Sequence, residues 1–349
     1  MNINIFKYNK KYNLESGKSL NGFEIAYSTI GKLNKEKSNV VWITHALTGN
    51  SNPLDWWPGI IGKGKLFDPE KHFIICANVL GSPYGSTNPL SKNPTTGSPY
   101  YHLFPQLTVR DMVNAFELLR QHLHLPVINT LIGGSLGGQQ ALEWAVINPD
   151  VVNNLILIAT NAKHSPWGIA FNESQRLAIK ADRTWYNQSD DAGLKGLKAA
   201  RAIALLSYRN YKTYRNTQSE SSNEKTDDFK AISYQNYQGE KFIKRFNAFS
   251  YWVLSKAMDS HNIGRGRGPL EEVLKSIKAN TLVIGISTDI LFPVNESLFL
   301  AQNIKGASLE IIDSIYGHDG FLIETQQLTK IIKNFLKTSK NKKQNVKAY

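Results

Sequence analysis

The chain has 349 residues, with 41 Lys and Arg against 28 Asp and Glu, and so a formal charge of +13. Its 41% hydrophobic content, including 15 Phe, 15 Tyr and 7 Trp, excludes a disordered chain, and its single cysteine excludes an internal disulfide framework. No apolar run approaches the roughly 18 residues that a bilayer span requires, and the sequence opens without an apolar leader and small-residue cleavage site. A cytoplasmic setting with no membrane partner is therefore expected. The positive charge raises nucleic acid as a partner. Its densest cluster, however, is Lys337, Lys340, Lys342, Lys343 and Lys347 in a polar stretch without apolar periodicity. No finger, recognition helix or aromatic RNA-binding pattern accompanies it, so no nucleic-acid partner is expected.

In chain order, residues 40–44 and 72–79 are short β-branched runs, each followed by a loop rich in Gly, Asn, Ser and Pro. Residues 108–123 read as a helix: Thr108 is the N-cap, Asp111 lies three residues on, and Val109, Met112, Val113, Phe116, Leu119 and Leu123 recur at helical spacing. A strand at 130–132 runs into Gly133 and Gly134, a helix follows from Leu136 to about Ile147, and Asn148-Pro149 ends it. Residues 151–159 are another buried-strand pattern. Repeated strand-turn-helix units predict a mostly parallel sheet with helices on both faces.

From 165 to 278 the pattern is helical, charged and aromatic with no clear strand, interrupted by a polar loop at 216–228. Strands return at 281–286 and 308–312, and a helix at about 326–337 precedes the basic tail. The predicted organisation is a catalytic α/β domain from 1–164 and 279–336, an inserted helical cap at 165–278, and a tail at 337–349. Ligands bind at the strand ends of such open sheets, beneath the cap.

Gly133-Gly134-Ser135-Leu136-Gly137 fits G-x-S-x-G between a predicted strand and a predicted helix. The glycines permit a tight turn that exposes the Ser135 hydroxyl at a helix N-terminus. A serine needs a base, and the base needs an orienting carboxylate. Asp289 follows the strand at 281–286, and His318 follows the strand at 308–312. Of the eight histidines, His318 alone has the right order and loop position for a triad with Ser135 and Asp289. His45-Ala46-Leu47-Thr48-Gly49 follows the first strong strand, so the backbone amides of Leu47 and Leu136 are the expected oxyanion donors, with His45 bracing the loop. Cys76, inside an apolar strand, reads as a small core residue.

These residues resemble more than a fold. His45-Ala46-Leu47-Thr48-Gly49, Asn78-Val79-Leu80-Gly81, Gly133-Gly134-Ser135-Leu136-Gly137-Gly138, Tyr237-Gln238-Gly239-Glu240-Lys241-Phe242, Gly264-Arg265-Gly266-Arg267-Gly268, Asp289-Ile290-Leu291-Phe292-Pro293 and Tyr316-Gly317-His318-Asp319 together resemble the homoserine O-acetyltransferase family of the α/β-hydrolase superfamily. The resemblance runs from about Phe23 to Leu322. It implies an α/β-hydrolase fold with a cap, and double-displacement acyl transfer from acetyl-CoA to L-homoserine through Ser135, in a homodimer formed by the cap. Acetyl-CoA would be a co-substrate, with no other cofactor and no metal. Asp319 matches the family residue expected to meet the substrate amine. Arg209 is the expected partner of its carboxylate; Arg265 and Arg267 compete for that role, although their segment reads mainly as a tight turn. Two places depart from the family pattern, the middle of Gly81-Ser82-Pro83-Tyr84-Gly85 and Asn247, where Asp is usual. Succinyl-CoA as donor, L-serine as acceptor, and a serine esterase remain alternatives.

Overall fold

The structure, a computed structural model, describes residues 3–346. Eight strands among them form one sheet: β1 (Ile3–Asn13), β2 (Ser19–Ile30), β3 (Val40–Thr44), β4 (Phe73–Ala77), β5 (Ile128–Gly134), β6 (Val152–Ile158), β7 (Asn280–Ile286) and β8 (Ser308–Ile312). Their spatial order is β1-β2-β4-β3-β5-β6-β7-β8. From β4 to β8 every pairing is parallel, and β2 alone runs against the rest, pairing antiparallel with both β1 and β4.

Helices cover both faces. In chain order they are α1 (Pro53–Trp56), α2 (Val109–His122), α3 (Leu136–Ile147), α4 (Pro166–Lys180), α5 (Leu194–Tyr208), α6 (Tyr211–Gln218), α7 (Lys230–Ile243), α8 (Ala248–Asp259), α9 (Leu270–Lys275), α10 (Val294–Asn303), α11 (Gly320–Ile323) and α12 (Thr325–Val346). Because strand side chains alternate, Leu131, Leu155, Leu157 and Val283 enter one core with Phe116, Trp144 and Leu300. Ile132, Ile156, Ile158 and Ile284 enter the other, with Leu328 and Ile332 of α12. The predicted cap on α2 is present: Thr108 and Asp111 bond each other's backbone in a capping box.

Three features differ from the sequence reading. The β1–β2 hairpin was not foreseen, since β1 is largely exposed and its polar residues break the alternation that betrays a strand. Between β6 and β7 the chain runs through α4 to α9, but α9 lies against α10 and buries Val273 and Leu274 in the sheet core. The final helix does not stop near Lys337. It continues to Val346, because no proline or glycine interrupts 325–346 and lysine and glutamine are good helix formers. Lys347, the last of the expected tail cluster, lies outside the described residues.

The Gly264–Gly268 segment is a tight turn, as read: the Arg267 and Gly268 amides both donate to the Gly264 carbonyl. Its arginines are held in ion pairs. Arg265 pairs with Glu15 at 2.8 Å and Arg267 with Glu143 at 2.6 Å, and Arg110 joins both glutamates. Neither arginine is therefore available to a substrate. Asn247 caps α8 by accepting the Ser250 amide at 2.7 Å, a role that Asp fills equally well.

Candidate active site

The β5–α3 turn holds Ser135 at φ 58° and ψ −129°, a region that non-glycine residues rarely adopt. Close approach enforces this turn. A Cβ on Gly133 would overlap Thr44 Oγ1 and the Gly137 carbonyl, and one on Gly137 would overlap the Thr44 carbonyl. The Ser135 hydroxyl makes no hydrogen bond among the described residues and opens onto a cavity of about 250 Å³.

His318 lines the same cavity. Its Nδ1 lies 2.6 Å from Asp289 Oδ2, while Asp289 Oδ1 accepts the Leu291 and Phe292 amides at 2.8 and 2.9 Å. The carboxylate is thus fixed on both oxygens, and the imidazole must present Nε2 as its free nitrogen. The ring is stacked on Phe292 at 5.1 Å and edged by Phe321 at 5.3 Å. Order in the chain has become proximity in space for all three residues.

The loop after β3 is tightly held. His45 is fully buried, and burial lowers its pKa to about 4, so it is neutral at pH 7. Its Nδ1–H donates to the Ala46 carbonyl at 2.8 Å, and its Nε2 accepts the Val79 amide at 3.2 Å. The role is bracing, as the sequence suggested. The amides of Leu47 and Leu136 make no hydrogen bond among the described residues.

Asp319 and Arg209 also line the cavity, but they face each other: Arg209 Nε is 2.9 Å from Asp319 Oδ2. The N–H of Arg209 is not aimed at that oxygen, so the contact is electrostatic without a formed hydrogen bond. Burial raises the Asp319 pKa, against the pull of Arg209 and His318. The cavity residues missed from sequence include Arg201, Tyr208 and Arg245, together with the aromatic Trp56 and Phe321. Arg201 pairs with no carboxylate among the described residues, and lies over the Phe242 and Tyr208 rings at 5.1 and 5.6 Å. Arg201 and Tyr208 are seven residues apart and share one face of α5, but that spacing does not tell which way the face turns.

Larger clefts flank α12. One of them, about 780 Å³, is lined by Lys65, Lys71, Lys330, Lys333 and Lys337 and contains none of the triad. No group of His, Cys, Asp and Glu side chains among the described residues is arranged to hold a metal ion. Cys76 is buried, and burial pushes its thiol pKa up, as befits an inert core residue. No helix among the described residues is long and apolar enough to cross a membrane.

A serine on a strained strand-to-helix elbow, with an acid-held histidine on a later loop of a mostly parallel sheet, defines an α/β-hydrolase-fold enzyme. Residues 39–325 match the alpha/beta hydrolase fold family. The homoserine O-acetyltransferase of Cyclobacterium marinum is 54% identical over 335 residues, covering 96% of this chain and 95% of that protein. The crystal structure of homoserine O-acetyltransferase from Bacillus anthracis superposes with a TM-score of 0.87 at 27% identity, covering 96% of this chain and 97% of that one. Esterase E22 gives the same TM-score at 26% identity, covering 96% and 99%. The chain belongs to the homoserine O-acetyltransferase family, a family of acyltransferases.

Proposed function

We propose that the protein transfers an acetyl group from acetyl-CoA to the side-chain hydroxyl of L-homoserine. The observation that carries this reading is the pairing of a nucleophile and its base with charges suited to an amino acid in one small cavity: Ser135 and His318 stand with Arg201 and Asp319. Ser135 Oγ attacks the thioester carbonyl carbon and gives its proton to His318 Nε2. The N–H groups of Leu47 and Leu136 hold the oxyanion. The C–S bond breaks, the CoA sulfur takes the proton from His318, and Ser135 is left as an acetyl ester. His318 then takes the proton of the homoserine hydroxyl, whose oxygen attacks the ester. Collapse of the second tetrahedral species returns the proton to Ser135 and releases O-acetyl-L-homoserine, a precursor for methionine synthesis. Asp289 fixes the imidazole tautomer and stabilises the imidazolium.

Homoserine presents one carboxylate and one ammonium. Asp319 meets the ammonium, as the family resemblance implies. For the carboxylate, the sequence favoured Arg209, but Arg209 already faces Asp319. Arg201 has an uncommitted guanidinium and takes the carboxylate, while Arg209 orients Asp319. Acetyl-CoA serves as co-substrate, and no metal or further cofactor enters the scheme. The aromatic stretch 234–258 mostly packs inward, with Phe242, Phe246, Phe249, Tyr251 and Met258 buried. A cap-mediated homodimer is supported instead by the exposed Leu206, Tyr211, Ile232 and Tyr237. A cytoplasmic location fits the single cysteine.

The second reading, a serine esterase, is favoured by the likeness to esterase E22. Kinetics separate the two. Release of CoA from acetyl-CoA should depend strongly on homoserine; release at full rate with water as the only acceptor would refute the transferase reading.

A further inference from the structure

Arg245 of the cap hydrogen-bonds to the oxyanion loop. Arg245, just beyond the end of α7, donates from Nη1 to the Thr48 carbonyl at 2.9 Å and to the Tyr84 hydroxyl at 2.5 Å. Its guanidinium lies over Phe242 at 5.1 Å, and Tyr84 is itself edged against Phe246 at 5.8 Å. Thr48 and Gly49 share a peptide group, and the Gly49 N–H donates to the Ala46 carbonyl at 2.9 Å. Ala46 and Leu47 share the next one. Every peptide here is trans, so within each group the carbonyl and the N–H point in opposite directions. The result is one directed chain: Arg245 cation to the Thr48 carbonyl, Gly49 N–H to the Ala46 carbonyl, and Leu47 N–H pointing onward, with no acceptor among the described residues.

We propose that Arg245 is a positioning residue for the oxyanion hole, acting from the cap through this two-peptide relay. Two effects follow from the geometry. The guanidinium holds the Thr48 carbonyl and the His45 Nδ1–H holds the Ala46 carbonyl, so the Leu47 N–H is held in one direction before substrate arrives. A cation at the head of a hydrogen-bonded chain also polarises each peptide in turn, which makes the terminal N–H a stronger donor to developing negative charge. The acylation step therefore depends on a cap residue that need not touch the reacting atoms. The inference rests on Ser135 being the nucleophile, as proposed above.

The test is the burst of p-nitrophenolate when the protein is mixed with p-nitrophenyl acetate, which reports acylation by a donor that carries no phosphate. Deleting an oxyanion donor costs a factor of about 10² to 10³, so loosening one should cost on the order of tenfold to a hundredfold in the burst rate of Arg245→Met. Arg245→Lys should fall between Met and wild type, and free guanidinium should partly restore Arg245→Gly. The KM for homoserine should stay unchanged. Tyr84→Phe removes only one of the two acceptors and should lose less, giving a second reading if Arg245→Met melts at a lower temperature. Wild-type burst rates in both Arg245→Met and Tyr84→Phe would overturn the relay, as would a loss confined to the KM for acetyl-CoA, the mark of a phosphate-binding arginine. A wild-type protein with no burst at all would instead overturn the Ser135 reading.

Discussion

Asp289→Asn is the sharpest perturbation of the site, because it exchanges one oxygen for an NH2 group at constant shape. Asp289 Oδ1 accepts two backbone amides, from Leu291 and Phe292, and Oδ2 accepts His318 Nδ1–H at 2.6 Å. An asparagine has only one oxygen. Two fixed N–H donors claim it, so the NH2 must face His318 Nδ1, which then has to act as acceptor. The imidazole proton moves to Nε2, the nitrogen that should receive the Ser135 proton. The buried ring, held by Phe292 and Phe321, cannot turn over to compensate. The loss of a charge-assisted bond alone is worth about 1.5–3 kcal/mol. Tautomer reversal of this kind in a Ser-His-Asp triad costs roughly 10⁴ in kcat, about 5 kcal/mol of barrier. Steady-state acetyl transfer to homoserine and the ester burst should therefore both fall by about that factor, with the thermal melt close to wild type. Activity within tenfold of wild type in a folded Asp289→Asn protein would refute the triad assignment.

The remaining predictions concern recognition, backbone and pH. Arg201→Leu should raise the KM for homoserine by roughly ten- to a hundredfold, as expected for a charge-assisted contact of about 1.5–3 kcal/mol, while leaving the ester burst intact. An unchanged KM would return the carboxylate to Arg209. Gly133→Ala should abolish soluble expression or lower the melting temperature sharply, since its methyl would collide with Thr44 and the Gly137 carbonyl; a melt equal to wild type would contradict the packing of the elbow. Burial lowers the pKa of His45 and His164 to about 4 and of His261 to about 3, against 6.5 for an ordinary histidine. Below pH 6.5 the unfolded chain takes up protons that the folded chain refuses, so stability should fall with acidification from pH 6.5 to pH 5. The slope should be about 1.4 kcal/mol per pH unit for each such histidine. Denaturant midpoints that stay level across that window would refute the neutral, buried state of these rings.

How much could be read beforehand follows from where each signal is written. The placement of Ser135 and Asp289 was legible because each sits in a loop after a buried, apolar strand; His318 follows β8, a short and mostly exposed strand, and was reached through chain order, which in this architecture determines which loops meet. That Leu47 lines the same cavity follows from its place in the loop after β3. Arg201 was not legible, because one arginine on an amphipathic helix looks like any solvated charge until the tertiary structure turns that face towards the triad. Arg209 was seen, but its ion pair with Asp319 depends on α5 ending against the His318 loop, a contact that spans more than a hundred residues of sequence. The β1 strand was hidden by its exposure: only Phe6 and Tyr12 are buried, too few to show a period of two. The end of α12 was set too early because apolar periodicity marks the part of a helix that packs, and the backbone continues past it.

The most direct measurement is intact and peptide mass spectrometry of the protein after brief exposure to acetyl-CoA without homoserine. The mass should rise by one acetyl group, the peptide containing Ser135 should carry it, and adding homoserine should discharge it. Ser135→Ala should remain unlabelled. An acetyl group on another residue, or none on a protein that still acetylates homoserine, would contradict the acyl-enzyme mechanism.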